Sequence, residues 1–250
     1  MICFIDLEHD SWLALRQNRL EHYAFIMDAK LKLEAMSGQP CLVQRYCDVS
    51  LSSLRVLDLR ALLISGNATG FDAYGAGAFR EMHHIIRAAE WPIIGFCGGH
   101  ELIAMAHGVE VAPMRPLRPG ERDVTDLSGP GYLKEWGFEP VTAVADDPIL
   151  NGLACAPVFL EVHYWEAKQI PSGFKLLGST GDCRIQLMRR DDRPVYGTQF
   201  HPEAFTEWPN DQRNELVNLV YPSGYDRIAS DGRTLLTNFF HVAGLPDQGA

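Results

Sequence analysis

The stretch GFCGGHELIAMAHG, Gly95 to Gly108, places one cysteine among three glycines and runs on into apolar residues at helical spacing. The run PIIGF (92–96) before it reads as a short buried parallel strand, so the order is strand, Cys97, helix. A reversal that tight needs glycines wherever φ turns positive or two backbones approach closely, and Gly95, Gly98 and Gly99 stand at those places. An elbow of this kind holds its central side chain exposed above a sheet. It also sets Cys97 at a helix N-terminus, where free N–H groups and the helix dipole favour thiolate over thiol. Taken alone, a free cysteine in a tight turn is an equally simple reading. A second segment, YGTQFHPE (196–203), ends a predicted strand with His201, Pro202 and Glu203. Cysteine catalysis needs a base that takes and returns a proton, and a carboxylate that fixes its tautomer. His201 and Glu203, two apart on a strand, fall on one face and suit those roles.

The elements that must position these residues alternate through the first half of the chain. Strands are expected at 2–6, 41–46, 61–66 and 92–96, with helices over about 16–36, 74–90 and from Gly98 to a cap at Gly108. The second half is richer in strands, at 138–144, 157–162, 174–179, 184–190 and 195–200, and these are expected to extend or flank the same sheet. A Pro-, Gly- and Arg-rich stretch from Pro113 to Trp136 reads as a surface excursion or hairpin. The segment 204–231 reads as an insertion before a last helix near 231–245, with helical spacing over 208–221 that fits a lid, a docking face or a plain surface helix.

Composition bounds the setting. A chain of 250 residues with 46% hydrophobic and 22% charged residues is ordinary for one well-cored domain. The net charge of −10, with 22 basic against 32 acidic residues and no basic cluster, argues against a nucleic-acid partner. Nothing in MICFIDLEHD resembles a secretory leader, and no stretch is apolar enough for a bilayer, so a cytoplasmic protein away from membranes is expected. The cysteines Cys3, Cys41, Cys47, Cys155 and Cys183, scattered without zinc-ligand spacing, read as free thiols and small buried hydrophobes. His83 and His84, adjacent on a helix, face different ways and suit no metal. The motif DLEHD (6–10) is expected in a loop at the carboxyl edge of the sheet.

Together the two motifs resemble the class I (triad) glutamine amidotransferases, whose nucleophile motif is Gly-x-Cys-x-Gly-x-Gln and whose distal motif is His-Pro-Glu. LLISGNATG (62–70) is similar to the family's oxyanion strand, DDPILNGL (146–153) to its turn before a strand, and HYWEAKQIPSGFKLLGST (163–180) to its His-x-x-(Asp/Glu) segment. The resemblance covers nearly the whole chain. It implies a flavodoxin-like open α/β fold with a mostly parallel sheet, helices on both faces and extra antiparallel strands in the C-terminal half, as a single domain over 1–250.

On this resemblance Cys97 is the nucleophile, His201 the base and then the acid, and Glu203 its orienter. The backbone N–H groups of Gly98 and Asn67 form the oxyanion hole; Asn67 departs from the family's usual Gly. Gly66, Glu101, Val162, Tyr164 and Trp165 line the substrate site, with the bulky Tyr164 and Trp165 narrowing the pocket or serving as core aromatics. His100 is a packing or supporting group. Glu101 replaces the usual Gln, keeping an acceptor and losing a donor. The implied reaction is hydrolysis of the glutamine side-chain amide, or of another γ-glutamyl amide, through a Cys97 thioester. It needs no metal and no organic cofactor. The chain shows no GxxxxGK(S/T) loop, so a separate synthetase or acceptor subunit would use the ammonia. The alternatives are a γ-glutamyl hydrolase or peptidase with the same triad, and a catalytically idle binding or regulatory subunit.

Overall fold

The computed structural model describes residues 1–124, 129–204 and 225–246. Its first half is built from β1 (Ile2–Asp6), α1 (Asp10–Ala14), α2 (Arg16–Ser37), β2 (Cys41–Arg45), α3 (Leu51–Arg55) and β3 (Ala61–Ile64). Then come α4 (Arg80–Ala88), β4 (Ile93–Phe96) and α5 (Gly98–Ala106). The strands of the second half are β5 (Val111–Pro113), β6 (Glu135–Pro140), β7 (Thr142–Ala143), β8 (Val158–His163), β9 (Trp165–Ala167), β10 (Phe174–Ser179), β11 (Leu187–Arg190) and β12 (Val195–Thr198). Helix α6 (Tyr225–Val242) follows.

Eight strands form one sheet in the order β2-β1-β3-β4-β12-β11-β10-β7. The pairs from β2 to β12 are parallel and those from β12 to β7 antiparallel. The inner parallel strands β1, β3 and β4 are buried on both faces, which is why they read as apolar runs without alternation, while the edge strand β2 is only partly covered. Cys3, Ile5, Leu62 and Ile64 face the layer that holds Met82, Ile85, Leu102 and Ile103 of α4 and α5. Ile2, Phe4, Leu63, Ile94 and Phe96 face the layer of Ile26 and Leu33 from α2 and Leu236 and Phe239 from α6. Among the described residues, no helix is long and apolar enough to cross a membrane.

Several expectations are corrected. The strand expected over 138–144 is two strands: β6 pairs with β8 as a separate ribbon, and β7 joins the main sheet. β5 and β9 form another small ribbon, so the later strands only partly extend the main sheet. The helix expected from Tyr74 begins at Arg80, after a short 3-10 turn at Phe71–Ala73. The last helix starts at Tyr225, earlier than its apolar spacing suggested. Cys47 and Cys155 are exposed while Cys3, Cys41 and Cys183 are buried. The possible lid helix over 208–221 lies outside the described residues.

Candidate functional site

Strand β4 delivers Cys97 directly into α5, and the reversal is made at Cys97 itself, with φ 47° and ψ −106°. A side chain at positive φ is disfavoured by its Cβ, so the surrounding chain must hold this conformation in place. The glycines do so by close approach. A Cβ on Gly95 would lie 2.5 Å from the Gly99 backbone, one on Gly99 2.5 Å from the Ile64 carbonyl, and one on Gly98 1.7 Å from Asn67 Oδ1. These contacts dock the first turn of α5 against β3 and against the loop that follows it. Cys97 is only 8% exposed, which corrects the expectation of a thiol standing open above the sheet. Gly108, at φ 80°, lies just past the end of α5, where a left-handed residue was expected.

The neighbouring strand supplies the partner. β12 runs parallel to β4 with Thr198 beside Phe96 and ends at Thr198, so it opens at the same sheet edge as the elbow. His201 then bridges to β8, its N–H donating to the Leu160 carbonyl at 2.9 Å. Glu203 sits in the turn beyond, and its Oε1 meets His201 Nδ1 at 2.8 Å. The pairing therefore comes from a turn and not from strand alternation, because β12 has already ended. Glu203 is 3% exposed and cannot be screened by solvent. Burial works against a charged His201 ring, but the Glu203 charge and hydrogen bonds to Cys97 and Glu203 outweigh it and hold the imidazolium well above its usual range. With Nδ1 committed to Glu203, Nε2 is the ring atom left for Cys97.

Gly66 and Asn67 close the other side. A Cβ at Gly66 would lie 3.1 Å from His201 Cε1 and 3.3 Å from Cys97 Cβ, so a larger residue there would press on the pair. The Asn67 backbone nitrogen lies 3.3 Å from the Cβ position of Gly98, so the loop after β3 packs directly against the start of α5 at the two residues named for an oxyanion.

Glu101, one turn into α5, is 4% exposed and accepts a hydrogen bond from Gln199 Nε2 at 3.0 Å. That same Nε2 lies 3.9 Å from Cys97 Sγ, so Gln199, absent from the sequence expectations, links the two. Burial pushes the Glu101 carboxyl up to about 7, against the Gln199 hydrogen bond and the charges of His163 and His201, which pull it down. The native state thus holds a proton that the unfolded chain, with an ordinary carboxyl, releases near pH 4.5. Its contribution to stability is intact below that value and is lost as pH rises through about 7. Glu101→Gln is accordingly expected to stabilise the fold more at pH 8 than at pH 5, by on the order of 3 kcal/mol in the difference. Urea midpoints at the two pH values check this; an equal change at both would contradict it.

The remaining expected residues divide. Val162 is half-buried on the face of β8 opposite Phe159, Glu161 and His163, which point inward. Trp165 reaches the loop after β3, its Cζ2 4.0 Å from a Cβ position at Gly70. Tyr164 instead packs over Gly129, which is left without room for a side chain, and beside Tyr132. His100 is fully buried, against Gly197, and burial lowers its pKa to about 4, which fits the packing role expected for it.

Behind the site lies a buried polar group that the sequence reading did not find. His163 Nδ1 donates to the Trp165 carbonyl at 2.9 Å, and Nε2 lies 2.9 Å from Glu135 Oε2 and 3.2 Å from Glu161 Oε2. Thr180 and Gln186 also donate to Glu135. The signal available was the alternation FLEVH in a strand, which puts Glu161 and His163 on the same face as Phe159.

A cysteine strained on a strand-to-helix elbow, met by a carboxylate-held imidazole from the adjacent parallel strand, defines the class as an open α/β fold bearing a Cys-His-Glu constellation. Comparison with known proteins narrows it. The model of the family described as glutamine amidotransferase class-I matches residues 42–214, and the chain belongs to that family. The chain is 31% identical over 120 residues to the glutamine-hydrolyzing GMP synthase subunit of Archaeoglobus fulgidus, covering 48% of this chain and 56% of that one. With the protein of the same name from Sulfolobus acidocaldarius it shares 28% over 176 residues, 64% of this chain and 85% of that one. Of the curated relatives it matches, the chain spans a little over half the length of the first. A putative GMP synthase subunit from Thermoplasma acidophilum superposes with a TM-score of 0.61 at 22% identity, covering 98% and 94% of the two chains. A glutamine amidotransferase from Thermotoga maritima gives 0.63 at 12% identity, covering 96% and 98%. These structures share the fold.

Proposed function

We propose that the protein hydrolyses the side-chain amide of glutamine and delivers the ammonia to a separate synthetase or acceptor subunit in the cytoplasm. The observation that carries this reading is the placement of Cys97, His201 and Glu203, with Gly98 and Asn67 packed against each other next to them. Cys97 Sγ attacks the amide carbon while its proton rests on His201 Nε2, and the carbonyl oxygen gains the charge that the Gly98 and Asn67 N–H groups stabilise. The C–N bond then breaks as His201 returns the proton to nitrogen, releasing ammonia and leaving a γ-glutamyl thioester on Cys97. Water attacks the thioester, giving its proton to His201, and glutamate leaves as the thiol re-forms. Glu203 keeps the ring oriented throughout and stabilises the imidazolium. Glu101 supplies an acceptor for the substrate's α-ammonium, and Gly66, Val162 and Trp165 lie around the substrate, while Tyr164 is taken up by packing over Gly129.

Acid quenching of the protein mixed with glutamine, followed by mass spectrometry, is expected to find a γ-glutamyl adduct on Cys97 and on no other cysteine. Slow ammonia release from the isolated chain that quickens when the acceptor subunit is added would support the full reading. Glu101 favours a second reading, a γ-glutamyl hydrolase, since its carboxylate removes the amide donor a glutamine would offer. Rapid cleavage of γ-glutamyl amines with no action on glutamine would replace the first reading by the second.

A further inference from the structure

The motif DLEHD, which no step above uses, holds the loop that carries Asn67. Glu8 lies just past the end of β1 and is 1% exposed. Its Oε2 accepts from the Ala68 N–H at 2.6 Å, and its Oε1 from the Thr69 hydroxyl at 2.6 Å and the Thr69 N–H at 3.3 Å. Oε1 also accepts from the N–H of His9 at 2.9 Å, which ties the carboxylate to its own backbone. On the near side of Asn67 the same segment makes a second fastening. The Leu7 N–H donates to Ser65 Oγ at 3.0 Å, and that hydroxyl donates to the Gly66 carbonyl at 2.7 Å. Asn67 is thus clamped between two attachments to residues 7 and 8, and its own side chain donates to the Thr69 carbonyl.

Glu8 is itself braced. Its N–H donates to Asp6 Oδ1 at 2.9 Å, Arg45 donates to its carbonyl, and Asp6 Oδ1 also lies 3.0 Å from His22 Nε2. An ionised carboxylate is an acceptor at both oxygens, so it can satisfy several converging N–H and O–H donors, which an amide cannot do without turning its own NH2 toward one of them. A buried charge is costly unless it is hydrogen-bonded, and here the donors of the loop meet that need. The charge therefore fixes the loop, and the loop fixes the direction of the Asn67 amide.

We propose that Glu8 is a positioning residue for the reaction, holding the Ala68–Thr69 segment so that the Asn67 N–H stays aimed beside that of Gly98. The inference rests on the reading of those two amides as oxyanion donors. A donor contributes to catalysis only when it is pre-aimed at the oxygen that gains charge, so a loosened loop weakens the chemical step more than substrate binding.

The test uses the full chain with Glu8→Gln, on glutamine and on γ-glutamyl p-nitroanilide, following whichever the unaltered protein cleaves faster. The kcat is expected to fall about 10- to 100-fold with KM changed less than about threefold. The rate at which iodoacetamide alkylates Cys97 involves no oxyanion and is expected to stay within about twofold, a split that general disruption of the elbow would not give. Thr69→Val removes one donor to Glu8 without touching the backbone contacts, and should lower kcat about three- to tenfold in the same pattern, which keeps the test open if Glu8→Gln does not fold. A kcat within twofold of the unaltered protein for the variants that fold, or alkylation falling in step with kcat, overturns the proposal. If Cys97→Ser is inactive while Glu8→Gln turns over normally, the positioning role alone fails. If Cys97→Ser turns over normally, or the unaltered chain cleaves neither substrate, the underlying reading fails with it.

Discussion

Cys97→Ser is expected to lower amide hydrolysis by about 10⁴-fold or more while leaving the fold in place. The substitution exchanges sulfur for oxygen without adding an atom, and neither residue escapes the positive φ of the elbow, so backbone strain is the same in both. What changes is the nucleophile. A thiol gives up its proton far more easily than a hydroxyl and sulfur is the stronger nucleophile toward an amide carbon, so the serine variant loses most of the chemical step. Cys97 is itself one of the groups that hold the His201 imidazolium, beside Glu203, and the substitution removes that share. Ammonia release at saturating glutamine, with urea unfolding to show stability within about 1 kcal/mol, checks the expectation. Turnover near that of the unaltered protein would remove Cys97 from the chemistry.

His201→Ala should cost about 10²- to 10⁴-fold in kcat with little change in KM, since the ring moves protons and does not hold the substrate. Glu203→Ala is expected to leave a larger residual rate, because the base remains and only its orientation and charge partner are gone. The pH dependence separates the two. Removing Glu203 takes away the charge that raises His201, so the ring loses its proton at lower pH and the alkaline limb of kcat/KM shifts downward. A profile unchanged by Glu203→Ala would show that the 2.8 Å contact with His201 does not govern its proton.

The meeting of Cys97 and His201 was legible because both sit at punctuated places, the cysteine among glycines and the histidine beside a proline at a strand end. The alternating parallel half was legible for a related reason, since strands buried on both faces leave unbroken apolar runs. Four things were not. The depth of Cys97 depends on the loop after β3 closing over it, which is a tertiary fact that the elbow sequence does not encode. Gln199 reads as one more polar residue at a strand end until α5 brings Glu101 to its amide. Glu8 is tied to residues about 60 positions away, and apart from the Thr69 hydroxyl its donors are backbone N–H groups, which every sequence supplies and none advertises. The split between β6 and β7 was missed because apolar spacing cannot tell one bent strand from two that leave for different sheets.

The place of β12 between β4 and β11 bears on how the chain comes to be made. Strand β4 is complete by Phe96, but the neighbour on its open side arrives only with Val195–Thr198. During synthesis, which proceeds from the N-terminus, the apolar edge of β4 stays unpaired while the intervening residues emerge. Until then Cys97 has neither the imidazole nor the carboxylate that the proposed reaction uses, so on that reading a growing chain carries an idle thiol. Closing a loop this long around a parallel pairing is slow, which places the hazard for this protein at an unfinished sheet edge open to other chains. The strand insertion that completes the sheet is also the event that brings His201 and Glu203 to Cys97.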